Sequence, residues 1–176
     1  MGAITDIASH VIDRGVNPAL HRFWVDDAER VATFPLLTQM GQMVGYQQYR
    51  PDAGKDRKNQ PREGRYYSYT IKTVRGVWGM ESWRQSNTLF ITEGIFAAAR
   101  LTRRGVSAVA LLSNDPKHLS DWLLCVRQAR PVVAVCDHGK AGLKLAKFGH
   151  EHHQMPEDFD LDDAPETYVA HLVNFP

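Results

Sequence analysis

Three apolar runs in the second half of the chain constrain its fold more than any other feature. They occupy residues 89–93 (LFITE), 108–113 (AVALLS) and 132–137 (VVAVCD), and each is nearly continuous in apolar side chains. Such runs are typical of strands buried on both faces of a parallel sheet. Because helix-length segments separate them, the pattern predicts an α/β fold with a mostly parallel sheet flanked by helices.

Each run ends in a polar residue: Glu93, Ser113 and Asp137. Ligands of open α/β sheets bind beyond the carboxyl ends of the strands, so we expect Glu93 and Asp137 to share one site. Two carboxylates that meet without a cation raise one pKa through like-charge repulsion. Either a metal ion or Lys140, which follows Asp137 closely, should therefore supply positive charge.

Ser113 opens the polar segment SNDPKH after the second run. This segment could bind a phosphate at the start of the following helix. Alternatively, the side chains of the segment could simply cap that helix. The sequence leaves both roles open.

The first half of the chain predicts smaller elements of mixed type. Residues 5–15 read as a helix with Thr5 or Asp6 as its N-cap, and a second helix is expected after Asn17, with Trp24 facing inward. Strands are expected around a turn at residues 39–42, and another over the tyrosine-rich stretch that follows. The other tryptophans are expected in the core: Trp78, Trp83 and Trp122.

The chain has 176 residues, of which 43% are hydrophobic, so it can form one domain with a satellite subdomain. Both cysteines lie in apolar runs rather than in a disulfide framework, which fits a reducing cytoplasm. No run approaches the ~18 apolar residues of a membrane span. The N-terminus has no signal-peptide pattern.

A basic stretch rich in tyrosine lies between Tyr46 and Arg75, with eight Lys/Arg against three Asp/Glu. Cations bind phosphates and aromatic faces stack on unpaired bases, so this composition favours single-stranded DNA and nucleotides as ligands. The alternative is a solvated loop beside a tyrosine-rich strand. The candidate contact residues are Arg50, Lys55, Arg57, Lys58, Arg62 and Arg65, interleaved with Tyr46, Tyr49, Tyr66, Tyr67 and Tyr69, of which Tyr49 and Tyr66 are singled out.

The segments LFITEG and VVAVCDHGKAGLKLA resemble the Toprim domain, which is marked by Glu-Gly after one strand and Asp-x-Asp-x-Ala-Gly after a later one. Upstream, RGVNPAL, FPLLTQMGQMVGYQQYRP, GRYYSY and GVWGMES resemble, in order, the N-terminal part of the bacterial and phage primase catalytic core. The resemblance implies a small α+β N-terminal lobe over residues 1–84 and a Toprim-like α/β domain over 85–176.

By this resemblance Glu93 is the acid/base, Asp137 and Glu93 bind Mg²⁺ or Mn²⁺, and Arg50 and Arg65 line a basic groove for template and nucleotide. Carboxylates are suitable ligands because Mg²⁺ prefers oxygen donors. The chain departs from the pattern at two expected acids, which are Ala97 and Gly139 here.

The acidic segment near the C-terminus could replace the missing ligands. Asp158 or Asp160 would then join the site as metal ligands. The alternative is a solvated acidic loop that caps the last helix, with Asp163 as the N-cap. Zinc is not expected, because side chains alternate along a strand and Cys136 should face away from Asp137.

Two functions remain open. One is a phage-type primase-like replication protein that binds single-stranded DNA and nucleotides and carries out Mg²⁺-dependent nucleotidyl transfer. It would work with a replication protein such as a helicase in the cytoplasm of a bacterial or phage-infected cell. The other is a catalytically degenerate Toprim protein that serves as a binding or regulatory module. A Toprim nuclease would share the acids and the same shortage of ligands.

Overall fold

The computed structural model describes residues 6–54, 60–71 and 76–174. The chain forms two compact units, Met1–Gly76 and Val77–Pro176. The boundary that the sequence suggests, between residues 84 and 85, lies later in the chain. Residues 77–84 pack with the second unit because Trp78 is buried there and forms an antiparallel β-bridge with Ala110.

The first unit begins with helix α1 (Ile7–Asp13). The Asp6 carboxylate accepts hydrogen bonds from the N–H groups of Ala8 and Ser9, each at 3.0 Å, and so caps the helix as the sequence predicts. The chain leaves the helix at Gly15, whose φ of 103° is readily adopted only by glycine. Ile7 and Val11 are buried.

Four antiparallel strands follow in the order β1 (Trp24–Asp26), β2 (Val31–Leu37), β3 (Met43–Tyr49) and β4 (Tyr66–Thr70). Neighbours in the sequence are also neighbours in the sheet. The turn between β2 and β3 contains Gly41 with a φ of 76°. Strands and turn therefore confirm the sequence-based prediction.

The second helix expected after Asn17 is absent, and the prediction is wrong there. The Asn17 side chain accepts from Ala19 N–H at 3.0 Å, and its carbonyl accepts from His21 N–H at 2.9 Å. These bonds close one helical turn, but the chain enters β1 at Trp24 before a second turn can form. The inward orientation expected for Trp24 is also wrong, because Trp24 lies on β1 with 51% of its surface exposed.

The second unit is a four-stranded parallel sheet in the order β6-β5-β7-β8. The strands are β5 (Leu89–Thr92), β6 (Ser107–Ala110), β7 (Val132–Cys136) and β8 (Glu151–Gln154). The intervening helices are α2 (Ile95–Thr102), α3 (Ser120–Ala129) and the short α4 (Gly139–Gly142), which continues as a 3-10 helix over Leu143–Phe148. The predicted α/β sheet flanked by helices is confirmed.

The last helix, α5 (Glu166–Val173), begins after Pro165 rather than at Asp163, so the predicted cap is wrong. Arg100 orders this turn instead, because its guanidinium donates to the carbonyls of Asp162 and Ala164 at 2.9 and 2.7 Å. It also donates to the Glu166 carboxylate at 2.8 Å. None of the helices in the described part of the chain has the length and hydropathy of a membrane span.

Candidate active site and nucleic-acid interface

The sheet order brings the two predicted acids together. β5 lies between β6 and β7, so Glu93 and Asp137, which directly follow β5 and β7, meet at the carboxyl edge of the sheet. Their side chains are half-buried and hydrogen-bond to each other. The shared location predicted from the two strand ends is therefore present in the fold.

The pKa of Glu93 is raised above its usual value, first by burial, then by the charge of Asp137 and the hydrogen bond to it, and last by Asp160. The pKa of Asp137 is also raised, first by burial and then by Asp160 and Asp162, whereas its hydrogen bond with Glu93 acts in the opposite direction. Burial and neighbouring negative charge therefore both disfavour the ionised form of these two carboxyls.

The backbone of the neighbouring strand also holds Glu93. Leu112, just beyond β6, donates its N–H to the Glu93 carbonyl at 2.9 Å. Its φ of 58° is uncommon for a residue with a side chain. Because main-chain bonds fix the carbonyl, the position of residue 93 does not depend on its carboxylate.

The acidic loop that follows β8 affects the pKa values of the two acids through Asp160 and Asp162, whereas the sequence singled out Asp158 and Asp160 as its metal ligands. Asp160 is exposed and affects the pKa of both acids, and Asp162, which the sequence did not single out, affects the pKa of Asp137. Asp158 is not among the described groups that shift either pKa. The sequence feature that could have indicated the position of this loop is Leu161, an apolar residue between Asp160 and Asp162 in the sequence. Leu161 is buried and fixes the loop at that point.

The pair fits only part of a magnesium site. Its oxygens are the donors that Mg²⁺ prefers, and Mg²⁺ often uses one or two carboxylates together with waters and substrate phosphates. In the ranges 6–54, 60–71 and 76–174, no group of three or more His, Cys, Asp or Glu side chains could hold a metal ion. A cation at this pair would therefore take most of its ligands from water and from substrate.

The two departures from the Toprim pattern have distinct structural settings. Ala97 is buried on α2. Gly139 has a φ of 85°, and the position that a Cβ atom would take there is open, so side chains are limited by backbone strain rather than by room. Gly142 is different, because a Cβ atom there would lie 2.0 Å from the Asp137 carbonyl oxygen.

Lys140, the alternative source of positive charge, is exposed, and no lysine is among the described groups that shift the pKa of Glu93 or Asp137. The Ser113 hydroxyl accepts from Asp115 N–H at 3.1 Å and thus stabilises a local turn. Cys136 is buried on β7, and burial raises the pKa of its thiol to about 11.

The first unit presents tyrosines on one face of its sheet, which we call the tyrosine face and define by Tyr46, Tyr67 and Tyr69. Tyr46 is the cross-strand partner of Tyr69, and Gln48 is the partner of Tyr67. The ring centroids of Tyr46 and Tyr69 lie 5.7 Å apart, and those of Tyr46 and Tyr67 lie 6.4 Å apart. Tyr69 is 51% exposed, so its ring is open to a ligand.

Two arginines accompany the tyrosine face. The Arg62 guanidinium lies 5.8 Å from the centre of the Tyr67 ring. Arg50 donates one bond to the Gln48 side chain at 3.3 Å, and its Nη1 is buried without a hydrogen-bond partner among the described residues. Arg65 instead donates to the Ala53 carbonyl at 3.1 Å, which holds the neighbouring turn. Lys55, Arg57 and Lys58 lie outside the described residues.

Tyr49 and Tyr66 lie on the opposite face, because side chains alternate along β3 and β4. Tyr49 is 4% exposed, stacks on Tyr66 with centroids 5.3 Å apart, and its hydroxyl lies 3.0 Å from both His10 Nε2 and Arg14 Nη1. The prediction that Tyr49 stacks on bases is therefore wrong. Tyr66 is partly exposed, and its role stays a prediction. The alternation along the two strands is the signal that distinguishes the faces.

The solved structures that this chain resembles are primase catalytic cores. The DnaG catalytic core matches with a TM-score of 0.67 at 15% identity, over 98% of this chain and 74% of that chain. The primase fragment of the bacteriophage T7 primase-helicase protein matches with a TM-score of 0.66 at 11% identity, over 93% and 72% of the two chains. A DnaG primase catalytic domain bound to ssDNA matches with a TM-score of 0.58 at 18% identity, over 98% and 61%.

No family model and no curated protein sequence match the chain. At identities of 11 to 18%, the structural likeness speaks for the fold alone. It covers nearly the whole chain, including both units. The resemblance drawn from the Glu-Gly and Ala-Gly motifs is confirmed at that level: the protein has the Toprim-type fold of the primase catalytic core.

Proposed function

We propose that this protein is a primase-like DNA replication protein that binds single-stranded DNA on the tyrosine face. The observation that carries the proposal is the cluster of three tyrosine rings beside Arg50 and Arg62 on one face of a sheet. Aromatic rings stack on unpaired bases, while arginines neutralise phosphates. A similar fold solved with ssDNA supports the same ligand class.

Arg50 is the cation best suited to a phosphate. Its buried Nη1 has no hydrogen-bond partner among the described residues, so an anionic ligand would satisfy a donor that is otherwise costly to bury. Charge-assisted bonds from arginine to phosphate are among the stronger hydrogen bonds in proteins. Arg50 therefore positions the strand, and the tyrosines hold its bases.

Binding of dT oligomers, followed by fluorescence anisotropy across a salt series, tests the proposal. Tyr69→Ala should weaken binding by about 1–3 kcal/mol, the usual effect of removing one stacking ring. Tyr66→Ala removes a partly exposed tyrosine from the opposite face and is the matched control. Equal losses in the two variants, or an affinity of the parent protein that does not change with salt, would contradict the proposal.

The chemistry we propose is nucleotidyl transfer at Glu93 and Asp137, with Mg²⁺ or Mn²⁺ held by the pair together with water and substrate phosphates. Asp158 and Asp160 of the acidic loop stay predictions as further ligands. A bound cation supplies stabilisation of the negative charge that develops on the transferred phosphoryl group. Glu93 is the acid/base of this step, since burial raises its pKa and makes it a stronger base than an ordinary glutamate.

A second candidate is a catalytically degenerate Toprim protein that acts as a binding or regulatory module. Ala97 and Gly139, in place of two acids, favour it. Calorimetric titration with Mg²⁺ and Mn²⁺, with and without nucleotide, distinguishes the two. Nucleotide-dependent cation binding that disappears in Glu93→Gln supports the enzyme, whereas no cation binding in the parent protein supports the module.

Such a replication protein would act in the cytoplasm of a bacterial or phage-infected bacterial cell, together with a replication partner such as a helicase. Pull-down with a purified replicative helicase, with and without single-stranded DNA, tests the partner. Retention of the helicase by the parent protein supports this assignment. Equal retention of the helicase by an unrelated protein of similar charge would contradict the assignment.

A further inference from the structure

The second unit carries a basic surface that the carboxylate pair does not use. We call it the lysine surface and define it by five cations: Lys117, Arg127, Lys140, Lys144 and Lys147. They come from the 3-10 helix Lys117–Leu119, from α3, and from α4 with its 3-10 continuation. The segment from His138 to His150 contains three lysines and no acid.

Direct contacts bring three of these cations together, namely Lys117, Arg127 and Lys147. Lys117 Nζ lies 3.4 Å from an Asp115 carboxylate oxygen, and Lys147 Nζ donates to the other oxygen of the same carboxylate. Arg127 donates from Nη1 to the Lys147 carbonyl at 3.3 Å, which joins α3 to the lysine-bearing segment. Lys144 lies one turn before Lys147 in a 3-10 helix, where residues three apart are aligned.

The positive charge faces solvent and the negative charge does not. The side chains of Lys117 and Lys147 are 78% and 50% exposed, whereas that of Asp115 is 24% exposed. These lysines also lower the pKa of Asp115. The Asp115 carboxylate therefore holds both ammonium groups, and the net charge of the three groups stays positive. Asp121, the one acid of α3, lowers the positive charge of the surface.

The chemistry of this surface differs from that of the tyrosine face. Its exposed apolar side chains are Leu124 and Leu143, and the exposed large hydrophobic residues in the described part of the second unit include no aromatic ring. Lysines bind phosphates as point charges, and this surface has no aromatic ring as exposed as Tyr69 on which unpaired bases could stack. The surface therefore suits a backbone whose bases are already paired.

We propose that the lysine surface binds the phosphate backbone of duplex nucleic acid, independently of base sequence. This goes beyond the proposed binding of single-stranded DNA, because it uses different residues in the other unit and a different form of ligand. An acidic protein is the competing ligand class. It is less suited, because the cations come from three separate elements and so present several positive charges over an extended surface.

The test compares two double variants that remove the same charge. Lys117→Gln with Lys144→Gln changes the lysine surface, and Arg84→Gln with Arg103→Gln changes exposed cations outside it. Anisotropy with a blunt-ended 20-base-pair duplex and with a dT oligomer is measured from low to moderate salt. The lysine variant should lower the slope of log affinity against log salt on the duplex by about 0.9 for each phosphate that it no longer neutralises.

Affinity for the dT oligomer should change little in the lysine variant, and the arginine control should bind both probes like the parent protein. Unchanged duplex binding in the lysine variant overturns the inference and leaves an acidic protein as the ligand class. Equal losses in both double variants also overturn it, because net charge alone would then explain binding. If the parent protein binds duplex but not the dT oligomer, and only the lysine variant weakens duplex binding, the inference stands and the proposed function fails.

Discussion

The two sheets of the molecule offer their side chains to a ligand in different ways. Strands β5, β6 and β7 of the second unit are buried on both faces, so their chemistry is confined to the strand ends, where Glu93 and Asp137 meet. The antiparallel sheet of the first unit is covered on one face only, and its other face carries Tyr46, Tyr67 and Tyr69 along the strands. A parallel sheet thus supports a compact site, and a half-covered antiparallel sheet supports an extended surface.

The largest expected effect separates structural from ligand-facing side chains. Ile91 in β5 is fully buried, so Ile91→Ala should lower the free energy of unfolding by about 2–5 kcal/mol. Tyr69→Ala on the tyrosine face removes only ring contacts and should lower it by less than about 1.5 kcal/mol. Urea unfolding measures both. Similar losses in the two variants would erase the contrast between the sheets.

The next largest effect is expected at Gly142, whose backbone lies close to that of Asp137. Gly142→Ala places a Cβ against the Asp137 carbonyl, and we expect a loss of about 1–3 kcal/mol of unfolding free energy. Gly54 in the first unit has no atom within 4 Å of the corresponding position, so Gly54→Ala is the control and should be nearly neutral. If both substitutions are tolerated equally, the turn after Asp137 is not tightly packed.

Substitution of Gly139 tests whether Glu93 and Asp137 belong to a metal site. Gly139→Asp adds an oxygen donor beside Asp137 and should tighten Mg²⁺ or Mn²⁺ binding, at a strain of about 1 kcal/mol because φ is 85°. Gly139→Asn carries a comparable backbone strain without the charge. Calorimetry and thermal melting on both variants separate the two effects. A folded Asp variant with no gain over the Asn variant would show that these acids are not the remains of a metal site.

The smallest effect concerns the raised pKa of Glu93. Because the native pKa of Glu93 is raised, the folded state binds its proton more tightly than the unfolded state does. Stability should therefore fall as pH rises from the ordinary carboxyl range through the raised pKa. Glu93→Gln should raise the unfolding free energy by less than about 1 kcal/mol after solvent screening, more at pH 8 than at pH 5. An equal change in unfolding free energy at both pH values would contradict the raised pKa.

Much of the second unit follows from its sequence. Near-continuous apolar runs can satisfy burial on both faces only as central parallel strands, and this alone predicts that Glu93 and Asp137 lie at one edge of the sheet. The contribution of Asp162 is not evident from the sequence, because the acidic loop is held by the buried Leu161 and by hydrogen bonds from Arg100, which is distant in sequence.

The first unit is less predictable in detail. Its strands are evident from alternation, but the buried position of Tyr49 depends on His10 and Arg14, which reach its hydroxyl from α1. The helix expected after Asn17 is limited to one turn, because the chain joins the first sheet at Trp24. Local sequence patterns record which residues alternate, whereas tertiary contacts decide which face is covered.

The order of the strands has a kinetic consequence. In the first sheet every ladder joins consecutive strands, but β3 and β4 pair across a connection about as long as the one between β5 and β6. In the second sheet β5 also pairs with β7, and the residues of this ladder lie further apart in sequence than those of the other described ladders. Loop-closure entropy makes such distant pairings slow to form. The edge that carries Glu93 and Asp137 depends on the pairing of β5 with β7, so we expect it to be completed late in folding.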